Sequence, residues 1–484
     1  MSHLEKDSKI ILVGAGVFGL SNALHLAQNG YTNITVFDRL DFNSNHYTFL
    51  EGADTASGDL NKIFRSRYED KKHYQDLAFK AFDIWQKWNR ELPLVPQNEA
   101  EKYTGLKIFD HCGMLLLDDV ISEGRKKSGE SFAKEGLDVL IYDINKEVDI
   151  KRANFSGFGN KIKFATDLKE KIPDLKGSLD VTSGMLYASR GCQYAKYQAE
   201  KLGVKFILGG EKGTFKDYIY KDETQKEVGG IITQDGQNHI ADLVVINSGP
   251  WSTSLVPELD GINEATSGNV VIIKIPKDRK DLLEKYSSKN HPIIGWKVGH
   301  DREKSYQGGI MIFPVTEPEG IMKMFVRQTK YTNPIVTENG QVISIPKTSN
   351  SDPPFQYLTR HIIDQVKSWL QDFFPDLVQA GIELETKIIW YTDTINNDYI
   401  YDFVPGKNGL FVACGGSGHA FKMLPVLGQF LVDKIEGRSN IYTETFKWKD
   451  PQDFPKDVNG LKEKLKSERQ YDKQVLSGPE DMKF

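Results

Sequence analysis

Three glycines at GxGxxG spacing, Gly14, Gly16 and Gly19, follow the apolar run Ile10 to Val13, and an acid, Asp38, closes a second apolar run 19 residues later. Glycine leaves the backbone uncovered, so N–H groups can approach a phosphate that a side chain would hold off. A carboxylate at the next strand end can accept from ribose hydroxyls. That chemistry is the holding of a dinucleotide. A second uncovered stretch lies near the other end of the chain, where Gly415, Gly416, Ser417 and Gly418 precede His419 in ACGGSGHAFK. A third lies mid-chain, where Ser248, Gly249 and Trp251 follow the apolar ADLVVI.

Such residues need elements that deliver them to one edge. KIILVGAGVFGLSNALHLAQNG predicts a strand, a glycine turn and then a helix that carries Leu20, Ala23, Leu24 and Ala27 on one face. ITVFDR predicts the second strand, GCQYAKYQAEKLGVKFILG a helix and strand, and GLFVACGGSGHAFKMLPVLGQFLVDKI a strand, glycine-rich turn and helix. One sheet is thus drawn from the beginning, middle and end of the chain. The expected fold class is α/β: a split Rossmann-like dinucleotide-binding domain of residues 1–90, 185–260 and 395–440, plus an α+β domain of 91–184 and 261–394. Strands such as NVVIIKIP and IMKMFVRQ and the helical RHIIDQVKSWLQDFFPDL give the second domain a mixed or antiparallel sheet. Residues 441–484 form a charged tail, poor in apolar residues, expected to wrap the surface or to be partly disordered. The glycine motif alone does not separate FAD from NAD.

Composition narrows the partners. A formal charge of −5 and a pI near 6.1 argue against nucleic acid, whose binding normally leaves a basic face, so a small molecule is expected. Cys112, Cys192 and Cys414 have no CxxC spacing, which suggests neither a disulfide framework nor a metal site. MSHLEKDSKI has charges where a signal peptide would need its apolar region, so none is expected there, and no apolar run reaches the roughly 18 residues that span a bilayer. These features predict a protein without a membrane partner, in the cytoplasm, with the peroxisome as the alternative.

In this order, GAGVFG with Asp38 and Arg39, NSGPWS, and GGSGHAFK resemble the FAD-dependent amine oxidases of the D-amino-acid oxidase superfamily. The similarity is greatest to the branch holding monomeric sarcosine oxidase, pipecolate and saccharopine oxidases and the fungal fructosyl-amino-acid oxidases. ASGDLNKIFRSRY and FKWKDP resemble stretches of that branch. The resemblance implies FAD as cofactor, held by Gly14, Gly16, Val17, Phe18, Gly19, Asp38 and Arg39, by Ser57, Asn61 and Lys62, by Ser248, Gly249 and Trp251, and by Gly416, Ser417, Gly418, His419, Phe421 and Lys422. The helix after the last turn would point its positive end at the flavin.

The resemblance further implies that Lys422 and Arg65 bind the substrate carboxylate, with Arg67 a competitor for the second role, and that Lys323 activates oxygen. Strand alternation puts Lys323, Phe325 and Arg327 on one face and Met322, Met324 and Val326 on the other. Arg327 replaces the glutamate usual in fructosyl-amino-acid oxidases, which favours a second anionic group on the substrate. Ile389, in KIIWYTDT, stands where the family carries its flavin-linking cysteine, so non-covalent FAD is expected, with Cys414 the alternative anchor. The implied activity is oxidation of a secondary amine of an amino acid to an imine that hydrolyses, with O2 reduced to hydrogen peroxide, by a monomer. Fructosyl-amino-acid and saccharopine types lead, and sarcosine or pipecolate types follow. An NAD(P)-linked dehydrogenase or a non-catalytic flavin-binding protein is the reading from another class.

Overall fold

Strand β1 (Ile10–Val13) is apolar and buried at all four positions, as a strand covered on both faces must be; Ile10 and Leu12 face the helices, and Ile11 and Val13 share a core with Val228 and Ile231 of a small antiparallel sheet. It pairs in parallel with Leu243–Ile246 on one side and with β2 (Ile34–Asp38) on the other. Leu243–Ile246 is bonded in turn to Leu410–Cys414, which pairs antiparallel with Ile400–Phe403, while β2 is bonded to Lys205–Leu208. The resulting six-stranded sheet draws its strands from three distant parts of the chain. Helix α1 (Val17–Gln28) packs on it beside helices Ala188–Lys201 and Leu424–Ile435. The last contact is close: the Ser21 hydroxyl donates to Leu424 O and accepts from Gly428 N, where a β-carbon would strike the α1 backbone.

This computed structural model describes residues 4–484 apart from His46, 95–106, Ser122, 299–308, 328–329, 349–350, 352–356, 455–460 and 462–466. A second core forms around an eight-stranded mixed sheet. The long strand Asn263–Lys274 lies between Leu384–Thr394 and Ile321–Val326, antiparallel to both, and Ile293–Trp296 pairs in parallel with Met114–Asp118. Along Ile321–Val326, Met322, Met324 and Val326 enter the core that holds Trp369 of helix Arg360–Phe373, so Lys323 and Phe325 face the other way. This is the α/β class with a mixed second sheet implied by the sequence pattern.

A small sheet of β3 (Asn61–Phe64), Gly184–Tyr187 and Phe109–Asp110 stands beside these two. The tail is docked where it is described. Tyr471 is buried against Tyr331 and Trp390, Gln470 bridges to Thr332, and Ser477 N donates to Leu358 O. A few apolar anchors suffice to hold a charged segment on a surface.

Candidate functional site

A cavity of about 820 Å³ runs from the carboxyl ends of the parallel strands to the far face of the eight-stranded sheet. At the first end, Gly14 has φ +105°, and a β-carbon there would lie 2.6 Å from Asn247 O, so only glycine fits. The Gly16 and Val17 backbone and the Phe18 side of α1 open onto the same space. Ser57 Oγ accepts from Val17 N at 3.0 Å, which binds this loop to the segment before β3. Gly19 does not line the cavity; a β-carbon there would run into the Gly14 carbonyl, so it serves the turn itself.

Asp38 ends β2 with its carboxylate turned back on the loop, accepting from Ala15 N at 2.6 Å and Leu40 N at 2.8 Å. Burial raises its pKa, and the two backbone donors and Arg39 oppose the rise. The Arg39 guanidinium lies 4.1 Å over the Trp251 ring, and both, with Ser248 and Gly249, border the cavity. Together they make a wall suited to a ribose and a flat base.

In the middle of the cavity a charged group joins three segments. Lys323, 2% exposed, donates to Asp59 Oδ2 at 2.7 Å and to Asn61 O at 2.6 Å, and Lys62 donates to the same carboxylate oxygen at 2.6 Å. Burial pushes Asp59 up, but the two lysines outweigh it and leave its carboxyl below the usual range. Burial brings Lys323 down to about 8, and Asp59 only partly offsets this. Asp59 escaped the sequence reading; its spacing of three from Lys62 was the available signal. Asn61 is fully buried at the cavity wall, and neither its Oδ1 nor its Nδ2 has a hydrogen-bond partner among the described residues. A buried amide is seldom left so, and a polar ligand in the cavity would complete it.

Gly416, Gly418, His419, Phe421 and Lys422 line the next stretch of wall. Gly418 has φ +71° and faces the Arg327 guanidinium, 3.5 Å from where a β-carbon would stand. Ser417 does not reach the cavity. It holds φ +44° because its N–H donates to Thr392 O at 2.7 Å and its Oγ accepts from Thr394 N at 3.2 Å, so it shapes the turn from behind. A 3-10 turn at Phe421–Met423 precedes the regular helix. His419 Nε2 lies 2.9 Å from Asn397 O, which can only accept, so that nitrogen carries the proton. Nδ1 then accepts from Tyr399 Oη at 3.0 Å and Tyr68 Oη at 3.2 Å. Burial holds His419 well below the ordinary range, so it is neutral.

The far end is cationic. Lys422, 2% exposed, donates to His419 O at 3.0 Å and sits 5.0 Å from the Tyr68 ring, which Arg65 approaches to the same distance. Burial, then Arg65, holds Lys422 well below the lysine range. Arg65, Arg67 and Arg327 border the same space. Among the described residues none of these four cations has an ion-pair partner. Ile389 lines the cavity, whereas Cys112, Cys192 and Cys414 are buried elsewhere, so no cysteine among the described residues borders it.

The glycine loop, the ribose-and-base wall, the orphaned Asn61 amide and the second glycine turn fit an elongated dinucleotide carrying a reactive ring. Known proteins agree. The chain is 27% identical over 459 residues to L-saccharopine oxidase of Schizosaccharomyces pombe, covering 91% of this chain and 93% of that one. It is 23% identical over 434 residues to monomeric sarcosine oxidase of Bacillus sp. (strain NS-129), covering 87% and 91%. The crystal structure of a modified fructosyl peptide oxidase from Aspergillus nidulans superposes with a TM-score of 0.75 at 25% identity, covering 97% and 99%. A family model described as FAD dependent oxidoreductase matches residues 9–434, and the chain belongs to that family.

Proposed function

We propose that the protein oxidises a secondary amine of an amino acid, of the saccharopine or fructosyl-amino-acid type, and returns the electrons to O2. The observation that carries this reading is the convergence of Lys422 and Arg65 on Tyr68 with no acidic partner among the described residues. Two such cations are poised for a carboxylate, which would fix the substrate's orientation. An amine of this kind must lose its proton before it can give up electrons, and the surrounding charges of Arg65, Arg327 and Lys422 lower its proton affinity. Bound FAD supplies the two-electron acceptor that dioxygen regenerates with release of hydrogen peroxide. Gly14, Gly16 and Val17 would hold its pyrophosphate at the start of α1, Asp38, Arg39 and Trp251 its adenosine half, and Asn61, Lys62 and the Gly416–Lys422 turn its ring. Sarcosine or pipecolate would leave Arg67 and Arg327 without use, so these smaller amines rank second. The family assignment sets aside the nicotinamide-linked alternative.

Oxygen uptake with peroxide formation, screened over saccharopine, fructosyl amino acids, pipecolate and sarcosine, tests the reading. At least one amine should bleach the flavin anaerobically without added nicotinamide. Bleaching by none of them would sink the proposal.

Attachment of the cofactor gives a separate prediction. An aliphatic side chain at Ile389 cannot form a thioether, and the Cys414 thiol is buried outside the cavity. Acid precipitation should therefore release FAD into the supernatant. Yellow colour retained in the washed pellet would show a covalent bond.

A further inference from the structure

Arg67 differs from the other cations around the cavity. It is 8% exposed, and its Nε and Nη1 are buried without a hydrogen-bond partner among the described residues. Its neighbours satisfy it poorly. The Phe132 ring lies 5.6 Å from the guanidinium carbon, and Asp180 attracts it from beyond ion-pair distance while Arg125 and Arg65 repel it. Asp180 is already committed: it accepts from Thr182 N and Oγ1 and from Ser183 Oγ. Arg125 is satisfied by Asp118, Ser178 Oγ and Leu116 O. Arg65 donates to the Arg67 carbonyl rather than sharing an acceptor with its side chain.

A buried cation with unused donors loses its hydration and recovers little. Arg67 nonetheless borders the cavity, as does Arg65 two residues before it. Phe132 and Asp180 belong to helix Glu123–Lys134 and to the strand Lys176–Asp180 of the eight-stranded sheet, not to the parallel sheet that carries the glycine loop. This is the end of the cavity away from the dinucleotide wall.

We infer that Arg67 anchors a second anion subsite, and that the substrate amine carries a further carboxylate on its nitrogen substituent, beyond the one oriented by Arg65 and Lys422. A carboxylate supplies the missing charge and the missing acceptors together. The inference rests on the amine-oxidase reading above and specifies its substrate class as amines with at least two carboxylates.

The test compares N-alkyl amino acids whose alkyl group ends in a carboxylate with their carboxamide isosteres. In the parent holoenzyme kcat/KM should favour the carboxylate by about 10- to 150-fold, the range of a charge-assisted hydrogen bond. In Arg67→Met the ratio should fall toward one, and Arg67→Lys should retain part of it. Flavin content checks that each variant assembles; Arg67→Gln replaces Arg67→Met if the latter does not take up FAD. A parent ratio near one, or a ratio untouched in the variant, overturns the inference. Titration of flavin absorbance with glutarate and with its monoamide needs no turnover and separates the two readings. Glutarate favoured in an Arg67-dependent way, with no amine oxidised, keeps the subsite and removes the reaction. Amines oxidised with no Arg67-dependent preference does the reverse.

Discussion

Lys323→Met should slow reoxidation of the reduced enzyme by about 100- to 1000-fold, the loss expected when one preorganised charge is removed from a site where negative charge develops. Anaerobic reduction by substrate should change by less than about tenfold, since Lys323 takes no part in holding the carboxylate. Rapid-mixing measurements of the two half-reactions separate these effects, and normal reoxidation would remove Lys323 from the oxygen step. Lys323 is not a bare cation: Asp59 and Asn61 O fix it, and Lys62 competes for the same acid. The folded pKa of about 8 makes a second outcome specific. Reoxidation should fall as pH rises through about 8, because the ammonium is then lost. Asp59 raises the lysine's pKa, so Asp59→Asn should shift that fall to lower pH, whereas an acid with a merely structural role would leave the midpoint in place.

Removing Lys422 should be nearly as damaging on the other half-reaction. Charge-assisted contacts of this kind are worth about 2 to 4 kcal/mol, or about 30- to 1000-fold in kcat/KM. Burial decides where each variant falls in that range. Lys422 is almost wholly enclosed and Arg65 is exposed, so Lys422→Met belongs at the upper end and Arg65→Met, screened by water, at the lower. An amide analogue of the substrate should be poor with the parent enzyme and lose little more in either variant. Thermal unfolding gives an independent reading. Lys422 has no acidic partner among the described residues, so Lys422→Met should leave the Tm of the substrate-free holoenzyme unchanged or raise it. Full activity in both variants would disprove the carboxylate clamp and turn attention to Arg67 with Arg327.

The parts of the site that could be read from the chain are those written in local spacing. Gly14, Gly16, Gly19 and Asp38 lie within one strand–helix–strand unit, and the alternation of Lys323, Phe325 and Arg327 follows from a strand's two faces. What escaped depends on pairs far apart in sequence. Asp59 meets Lys323 across 264 positions, and Tyr68 meets His419 across 351, with no periodic pattern to announce either pair. Ser417 and Gly19 show the limit of a motif in the other direction. Each belongs to a glycine-rich stretch that borders the cavity, yet backbone geometry turns one toward Thr394 and presses the other against Gly14. In the tail, a charge-rich composition concealed the rings that dock it, Phe446 against Tyr74 and Tyr399 and Tyr471 against Tyr331.

The six-stranded sheet also sets the order of events during synthesis. Ile10 is registered to Leu243, and Val244 to Leu410. At about 5 to 20 residues per second, the glycine loop leaves the ribosome roughly 10 to 45 s before the strand that flanks it and about 20 to 80 s before the second glycine turn. Pairing across such separations carries a large loop-closure cost, which makes this half of the molecule slow to close. The N-terminal strand–helix–strand unit therefore waits with one edge of Ile10–Val13 unpaired until Leu243–Ile246 is made. The two glycine-rich turns that border the cavity can come together only after the last strand of the sheet, Leu410–Cys414, has been made.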